Sequence, residues 1–140
     1  MRLLRWSLLA GGLIAVLSCN ADRDITKPPP GPPPGPPPEP GVLTVALTTP
    51  RLDDGAIVFD IRGHAGEMPA LVDTTMWMFS ERLDSTVTRV VLVGELHTGR
   101  LVTFPVDDIH TPYGATIIDV SDRADRARTD FKDYQLVVSR

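Results

Sequence analysis

The segment TVTRVVLVGEL, residues 86–96, decides the fold predicted for this chain. It is rich in β-branched residues, which favour extended backbone. Its nearly continuous apolar run predicts a central strand with both faces covered. His97-Thr98-Gly99 then predicts a turn, and residues 100–106 (RLVTFPV) the next strand. Pro105 removes one ladder hydrogen bond and places that strand at an edge or a bulge.

Outward from this pair, apolar residues alternate with polar ones in five further segments, which predicts five more strands. They are residues 42–49, 56–62, 75–80, 113–120 and 131–139. Asp53-Asp54-Gly55 predicts a turn, and the polar residues 121–130 one or two helical turns with Asp122 paired to Arg126. No helix is long enough for a parallel crossover. The chain is therefore predicted to be all-β, an antiparallel Ig-like sandwich of about seven to nine short strands.

Residues 1–18 have the features of an export signal. Arg2 and Arg5 form a positive n-region, and the apolar h-region Trp6–Leu17 is followed by the small Ser18. This run is shorter than the roughly 20 residues that cross a bilayer, which disfavours a retained transmembrane helix.

The end of the signal, Val16-Leu17-Ser18-Cys19, resembles a bacterial lipobox. The resemblance implies that Cys19 is lipidated and becomes the mature amino terminus, and Asn20 after it implies outer-membrane localisation in a Gram-negative host. Two or more acyl chains anchor a protein stably, whereas one chain does so only marginally. The alternative is a general secretory signal cleaved near Ser18 or Ala21.

Residues 19–41 are predicted to be a disordered linker before a domain at residues 42–140. The segment Pro28–Pro40, PPPGPPPGPPPEP, favours the polyproline II conformation because proline fixes φ and removes the amide donor. At about 3.1 Å per residue it extends about 40 Å, which predicts a stalk. Recognition of the proline triplets by an SH3-like or WW-like partner is the alternative.

Charge and cysteine content exclude several functions. Removing Arg2 and Arg5 with the signal leaves 12 basic and 18 acidic residues, a net charge of about −6. An acidic chain is a poor nucleic-acid binder because affinity for phosphates comes from Lys and Arg. With the single cysteine assigned to lipid, no thiol remains for a disulfide, a nucleophile or a zinc site. No cofactor is expected.

The strand order resembles a cohesin-like or carbohydrate-binding-module-like β-sandwich. The stretches that carry the resemblance are LTVALTTPRLDDGAIVFDIRG, TVTRVVLVGEL with GRLVTFPV, and ATIIDVSDRADRARTDFKDYQLVVS. It implies a binding module on a bacterial surface protein. It assigns no site residue, because it depends on strand order alone.

Met76-Trp77-Met78-Phe79 is the candidate ligand or partner segment. Alternation places Trp77 and Phe79 on one face of a strand. We expect Trp77 to be the main aromatic of the core, because a small domain with few aromatics needs one at its centre. If that face is open instead, Trp77 and Phe79 form a surface for a sugar or a protein.

Asp107, Asp108 and His110 are the nearest approach to a catalytic or metal-binding cluster. Asp107 and Asp108 are weak calcium candidates, with Asp53 and Asp54 or Asp119, Asp122 and Asp125 as further ligands, but no calcium-binding motif is present. His64, His97 and His110 fall in predicted loops without metal-ligand spacing, which favours solvated side chains. The charged residues from Asp119 to Asp130 predict a solvated mixed-charge face.

The sequence predicts a non-enzymatic, lipid-anchored envelope module that presents a sandwich to a protein or glycan partner. One alternative is a structural spacer or assembly subunit of an envelope complex. The other is an envelope hydrolase or accessory that uses the loop of Asp107, Asp108 and His110.

Overall fold

Eight strands follow one another in the computed structural model, which describes Gly31 and residues 34–63 and 67–140. The strands are β1 (Gly41–Thr48), β2 (Asp54–Arg62), β3 (Ala70–Leu71), β4 (Trp77–Arg82), β5 (Val87–Val93), β6 (Gly99–Val106), β7 (Gly114–Asp122) and β8 (Gln135–Ser139). The predicted export signal at residues 1–18, Cys19 and His64 lie outside the described residues. All contacts discussed below belong to one unit, residues 35–140.

The strands form two four-stranded antiparallel sheets, with orders β3-β6-β1-β8 and β4-β5-β2-β7. This arrangement confirms the predicted all-β antiparallel sandwich. The described residues include no helix long and apolar enough to cross a membrane.

The core lies between the sheets and follows the predicted alternation. In β1, Leu43, Val45 and Leu47 are buried while the intervening residues are more exposed. Phe59 of β2 and Phe104 of β6 are the fully buried aromatic residues of the described core. Burial of such a side chain contributes about 1.5–3 kcal/mol.

Two expectations about the central segment are wrong. Only one face of β5 is covered: Val90 and Leu92 are buried, whereas Val93 is 48% exposed. Trp77 is not a core residue but is 80% exposed. The strand register explains both results. Trp77 pairs with Val93 on the outer face of the sheet, whereas Met78 pairs with Leu92 on the inner face. Phe59 and Phe104 occupy the interior in its place.

The predicted helical turns at residues 121–130 are also absent. Strand β7 extends to Asp122, and the next residues form turns and a bridge between Ser121 and Ala127. The predicted pair of Asp122 and Arg126 exists, at 2.8 Å, but within a turn. Asp122 is buried, so the expectation of a wholly solvated charged face is wrong for it.

Asp54 does not lie in a solvated turn, as the sequence predicted, but begins β2 with its carboxylate fully buried. Its oxygens accept hydrogen bonds from Thr49 Oγ1 at 2.6 Å and from the Tyr134 hydroxyl at 3.0 Å. Arg128 Nε donates a third, at 3.1 Å. These partners satisfy a charge that is costly to bury alone.

Pro105 lies in β6, which is flanked by β3 and β1. Its position is nevertheless a local edge, because the two residues of β3 pair only with Val102 and Thr103. On the side of β1, Pro105 faces Val42.

The linker enters the sandwich through a defined contact with the loop after β6. The carbonyl of Glu39 accepts a hydrogen bond from the Ile109 amide at 2.8 Å. The Glu39 amide donates to Asp108 Oδ1 at 3.2 Å. We call Glu39, Asp108, Ile109 and His110 the linker contact. The described residues 34–40 belong to no helix or strand.

Candidate binding surface

The outer face of the β4-β5-β2-β7 sheet carries the candidate binding residues. The strand register arranges its residues in rows that cross the four strands, and three of these rows contain the candidate residues or border them. They are Trp77–Val93–Ala56–Ser121, Phe79–Val91–Val58–Asp119 and Glu81–Arg89–Asp60–Thr116. We call the apolar part of the first two rows the aromatic face: Trp77, Phe79, Val91, Val93, Ala56 and Val58.

Trp77 and Phe79 dominate this face, with 80% and 65% of their surface exposed. They lie two residues apart on edge strand β4, which places them about 6.6 Å apart along the strand. The indole N–H of Trp77 has no hydrogen-bond acceptor in the described part of the chain. Neighbouring exposed aromatic and aliphatic side chains are typical of an interaction surface.

An ion pair borders the aromatic face on one side. The Arg89 guanidinium donates two hydrogen bonds to Asp60, from Nε at 2.8 Å and from Nη2 at 3.1 Å. These hydrogen bonds, with the charges of Asp60 and Glu81, raise the pKa of Arg89 despite its partial burial. The pair is bidentate, a geometry that fixes the guanidinium plane.

A shallow groove of about 270 Å³ borders the face on the other side. Gly55, Ala56, Val93, Gly94 and Ser121 form its floor and walls. Arg123 and Glu95, which also line it, form an ion pair of 3.3 Å. Because Ala56, Val93 and Ser121 belong to the row of Trp77, the groove continues the aromatic face.

The loop of Asp107, Asp108 and His110 contacts the linker through Asp108. The structure brings Asp108 and His110 together, with 2.9 Å between Oδ1 and Nδ1. The same Oδ1 accepts the amides of His110 and Glu39, which lower the pKa of Asp108. The observed partners of this carboxylate therefore belong to the linker contact.

Three of the other acidic candidates, Asp53, Asp54 and Asp122, have arginine partners. Arg128 contacts Asp53 at 2.7 Å and Asp54 at 3.0 Å, and Arg126 contacts Asp122 at 2.8 Å. Within residues 34–63 and 67–140, no group of three or more His, Cys, Asp or Glu residues is arranged to hold a metal ion. His97 lies exposed in the turn between β5 and β6.

Sequence reasoning missed the pair of Asp60 and Arg89. A signal was present: each charged residue interrupts an apolar strand at a position that alternation assigns to the outer face. Opposite charges at such positions on two strands predict a cross-strand pair. No comparable pattern in the sequence indicated that the aromatic face would be exposed.

Comparison with known proteins identifies no relative. No family model matches the chain, and neither a curated protein nor a solved structure matches it.

Proposed function

We propose that this chain is a non-enzymatic, lipid-anchored envelope protein that binds a protein or glycan partner through the aromatic face. The observation that carries the proposal is the exposure of Trp77 and Phe79 beside Val91 and Val93 on one face of the sheet. In this proposal the export signal and Cys19 supply the anchor, and the proline-rich linker is the stalk.

The energetics support a binding role for these two aromatics. Each buries about 150–250 Å² when covered, and apolar burial contributes about 25 cal/mol per Å². Covering both would therefore contribute several kcal/mol before the entropy cost of association. Trp is also among the residues that most often dominate interface energetics.

The polar borders suit a defined partner better than non-specific adhesion. Arg89 and Asp60 are held by two hydrogen bonds on one side, and Arg123 and Glu95 are paired on the other. A central apolar patch with a polar rim is the usual anatomy of a specific interface. The resemblance to cohesin-like or carbohydrate-binding modules is compatible with this role and remains a prediction.

The linker contact supports the stalk part of the proposal. The Glu39 backbone accepts a hydrogen bond from the Ile109 amide and donates one to the Asp108 carboxylate, so the linker joins the sandwich at one defined end. A fixed exit followed by a stiff proline-rich segment would orient the domain relative to the membrane.

Site-specific photo-crosslinking tests the binding role. A photoreactive phenylalanine analogue replaces Phe79 in the full chain, expressed in its native cell envelope. The matched control carries the analogue at Val137, which is 51% exposed on the other sheet. We expect one envelope component to be crosslinked from position 79 only, and the crosslink to disappear when Trp77→Ser is added. Equal crosslinking from both positions would contradict the proposal.

Mass spectrometry of the membrane fraction tests the anchor separately. We expect the mature chain to begin at an acylated Cys19, and Cys19→Ala to abolish both the acylation and the membrane association. An unacylated product in the wild type would remove the anchor from the proposal while leaving the binding surface untouched.

A further inference from the structure

We infer that the aromatic face binds the proline-rich segment Pro28–Pro38 of a second copy of this chain. The inference rests on the proposed function, because it names the occupant of the same surface. It follows from three observations: the chemistry of the exposed face, the spacing of its aromatics, and the place where the linker joins the domain.

The chemistry of the segment matches that of the face. PPPGPPPGPPP presents pyrrolidine rings and carbonyl oxygens, carries no charge, and has few amide donors. The aromatic face presents two aromatic rings and four aliphatic residues, with an indole N–H that has no acceptor within the described residues. Aromatic surfaces recognise polyproline II segments because these are already ordered and lose little entropy on binding.

The spacing of residues along a polyproline II helix also matches the spacing of the two aromatic residues along β4. Polyproline II rises about 3.1 Å per residue, so two residues at i and i+2 lie about 6.2 Å apart along the axis. Trp77 and Phe79 lie about 6.6 Å apart along β4. Because the helix has three residues per turn, residues i and i+2 lie on two adjacent edges of its triangular cross-section, and these two edges bound one side of the helix. A proline triplet can therefore contact both rings with one side.

The position of the linker contact favours a second copy over the chain's own segment. The loop at residues 107–113 begins beside Gly41 and ends beside Arg62, so Glu39 joins the domain at that end. The row of Trp77 contains Ala56, six residues along β2 from Arg62, or about 20 Å. The row of Trp77 therefore lies toward the end of the sheet opposite the linker contact.

Each copy offers one aromatic face and one proline-rich segment, so the contact is head-to-tail. Such contacts produce rings when the geometry closes and open chains when it does not. Anchoring of neighbouring copies in one membrane would raise their effective concentration and favour the contact.

Fluorescence and sedimentation of the full chain in neutral detergent test the inference. The sequence has two tryptophans, and removal of residues 1–18 with the export signal leaves Trp77 as the only fluorescent indole. As protein concentration rises, we expect the emission of Trp77 to shift to the blue and the sedimenting protein mass at least to double. A synthetic peptide PPPGPPPGPPPEP should reverse the mass increase and keep the blue shift.

Three variants and a control make the result specific. Phe79→Ser should weaken the association at least tenfold. Trp77→Ser should do the same, measured by sedimentation because this variant lacks the fluorescent indole. A chain with the prolines at positions 28–30, 32–34 and 36–38 changed to Ser should weaken it similarly. The control Val137→Ser changes an exposed apolar residue of the other sheet and should leave it unchanged.

Other outcomes overturn the inference in distinguishable ways. A proline-dependent blue shift that is independent of concentration would place the chain's own segment on the face. Association that survives loss of the prolines would indicate contact between two aromatic faces. Absence of association, together with a crosslink from position 79 to a different envelope component, would reject this occupant but retain the proposed function.

Discussion

The guanidinium of Arg128 lies 3.0 Å from the fully buried carboxylate of Asp54, a residue 74 positions earlier in the chain. This pair joins the first residue of β2 to the irregular segment between β7 and β8. Tyr134 adds its hydroxyl to both oxygens of the same carboxylate, at 3.0 Å each. The network therefore holds the segment before β8 against the sandwich.

Asp54→Ala should lower the free energy of unfolding by about 3–5 kcal/mol, because it leaves buried cationic and hydroxyl groups without their acceptor. The matched control is Asp53→Ala. Asp53 also contacts Arg128, at 2.7 Å, but it is 59% exposed, and exposed pairs contribute about 0–1 kcal/mol. Urea unfolding at neutral pH measures both. Similar losses in the two variants would contradict the structural role assigned to Asp54.

The domain should lose stability in acid. Hydrogen bonds from the backbone amides of Arg126 and Ala124, and from the Arg126 side chain, lower the pKa of Asp122 below 3.8 although burial opposes this. Neighbouring backbone amides also lower the pKa values of Asp73, Asp84 and Asp108. A lowered folded-state pKa gives stability that is complete above the unfolded value and lost as pH falls through the folded value.

We therefore expect urea midpoints to be constant above about pH 5 and to fall below about pH 4. Asp122→Asn should lower the midpoint at neutral pH and make the acid decline less steep. An acid decline as steep in Asp122→Asn as in the wild type would assign the effect to the other carboxylates.

Sequence alternation predicted the strands because inner positions such as Leu43, Val45 and Leu47 are uniformly apolar. Alternation could not show which face of β4 and β5 is the outer one, because both faces of these strands carry apolar residues. Alternation shows that Trp77 and Phe79 share a face, but only the pairing with Val93 and Val91 shows which face that is. The network of Asp54 was equally inaccessible, because its partners Arg128 and Tyr134 are distant in sequence.

Trp77→Ser should change the free energy of unfolding by no more than about 0.5 kcal/mol, as expected for an exposed side chain. Phe59→Ala should cost about 3–5 kcal/mol, because Phe59 is fully buried between the sheets. Urea unfolding of the two variants compares them directly. A large loss in Trp77→Ser would mean that the indole packs in the interior, and the aromatic face would then not exist.

Gly94→Ala should be more destabilising than Gly99→Ala. Both glycines have positive φ, 152° and 157°, so both substitutions carry a backbone cost of about 1–3 kcal/mol. A Cβ at Gly94 would also lie 2.9 Å from Met76 Cγ, whereas one at Gly99 meets nothing within 4 Å. We expect a further loss of about 1 kcal/mol at Gly94 from this crowding, measured by thermal unfolding. Equal losses would show that Met76 moves aside without cost.

Asp108→Ala should weaken the linker contact while leaving the strands intact. The substitution removes the acceptor of the Glu39 and His110 amides, but the hydrogen bond from the Ile109 amide to the Glu39 carbonyl remains. We expect amide hydrogen exchange at Glu39 to accelerate several-fold, with exchange in the β1 ladder unchanged. His110→Ala is the control, because it removes the imidazole and keeps both amides on Asp108.

The same amide should respond to pH in the wild type. The pKa of Asp108 lies below 3.8, chiefly because the amides of His110 and Glu39 donate to its carboxylate. Exchange at Glu39, corrected for its intrinsic pH dependence, should therefore be slow above about pH 4 and rise as Asp108 becomes protonated. In Asp108→Ala this rise should be absent. Unchanged protection of Glu39 in that variant would show that the Ile109 hydrogen bond alone fixes the linker.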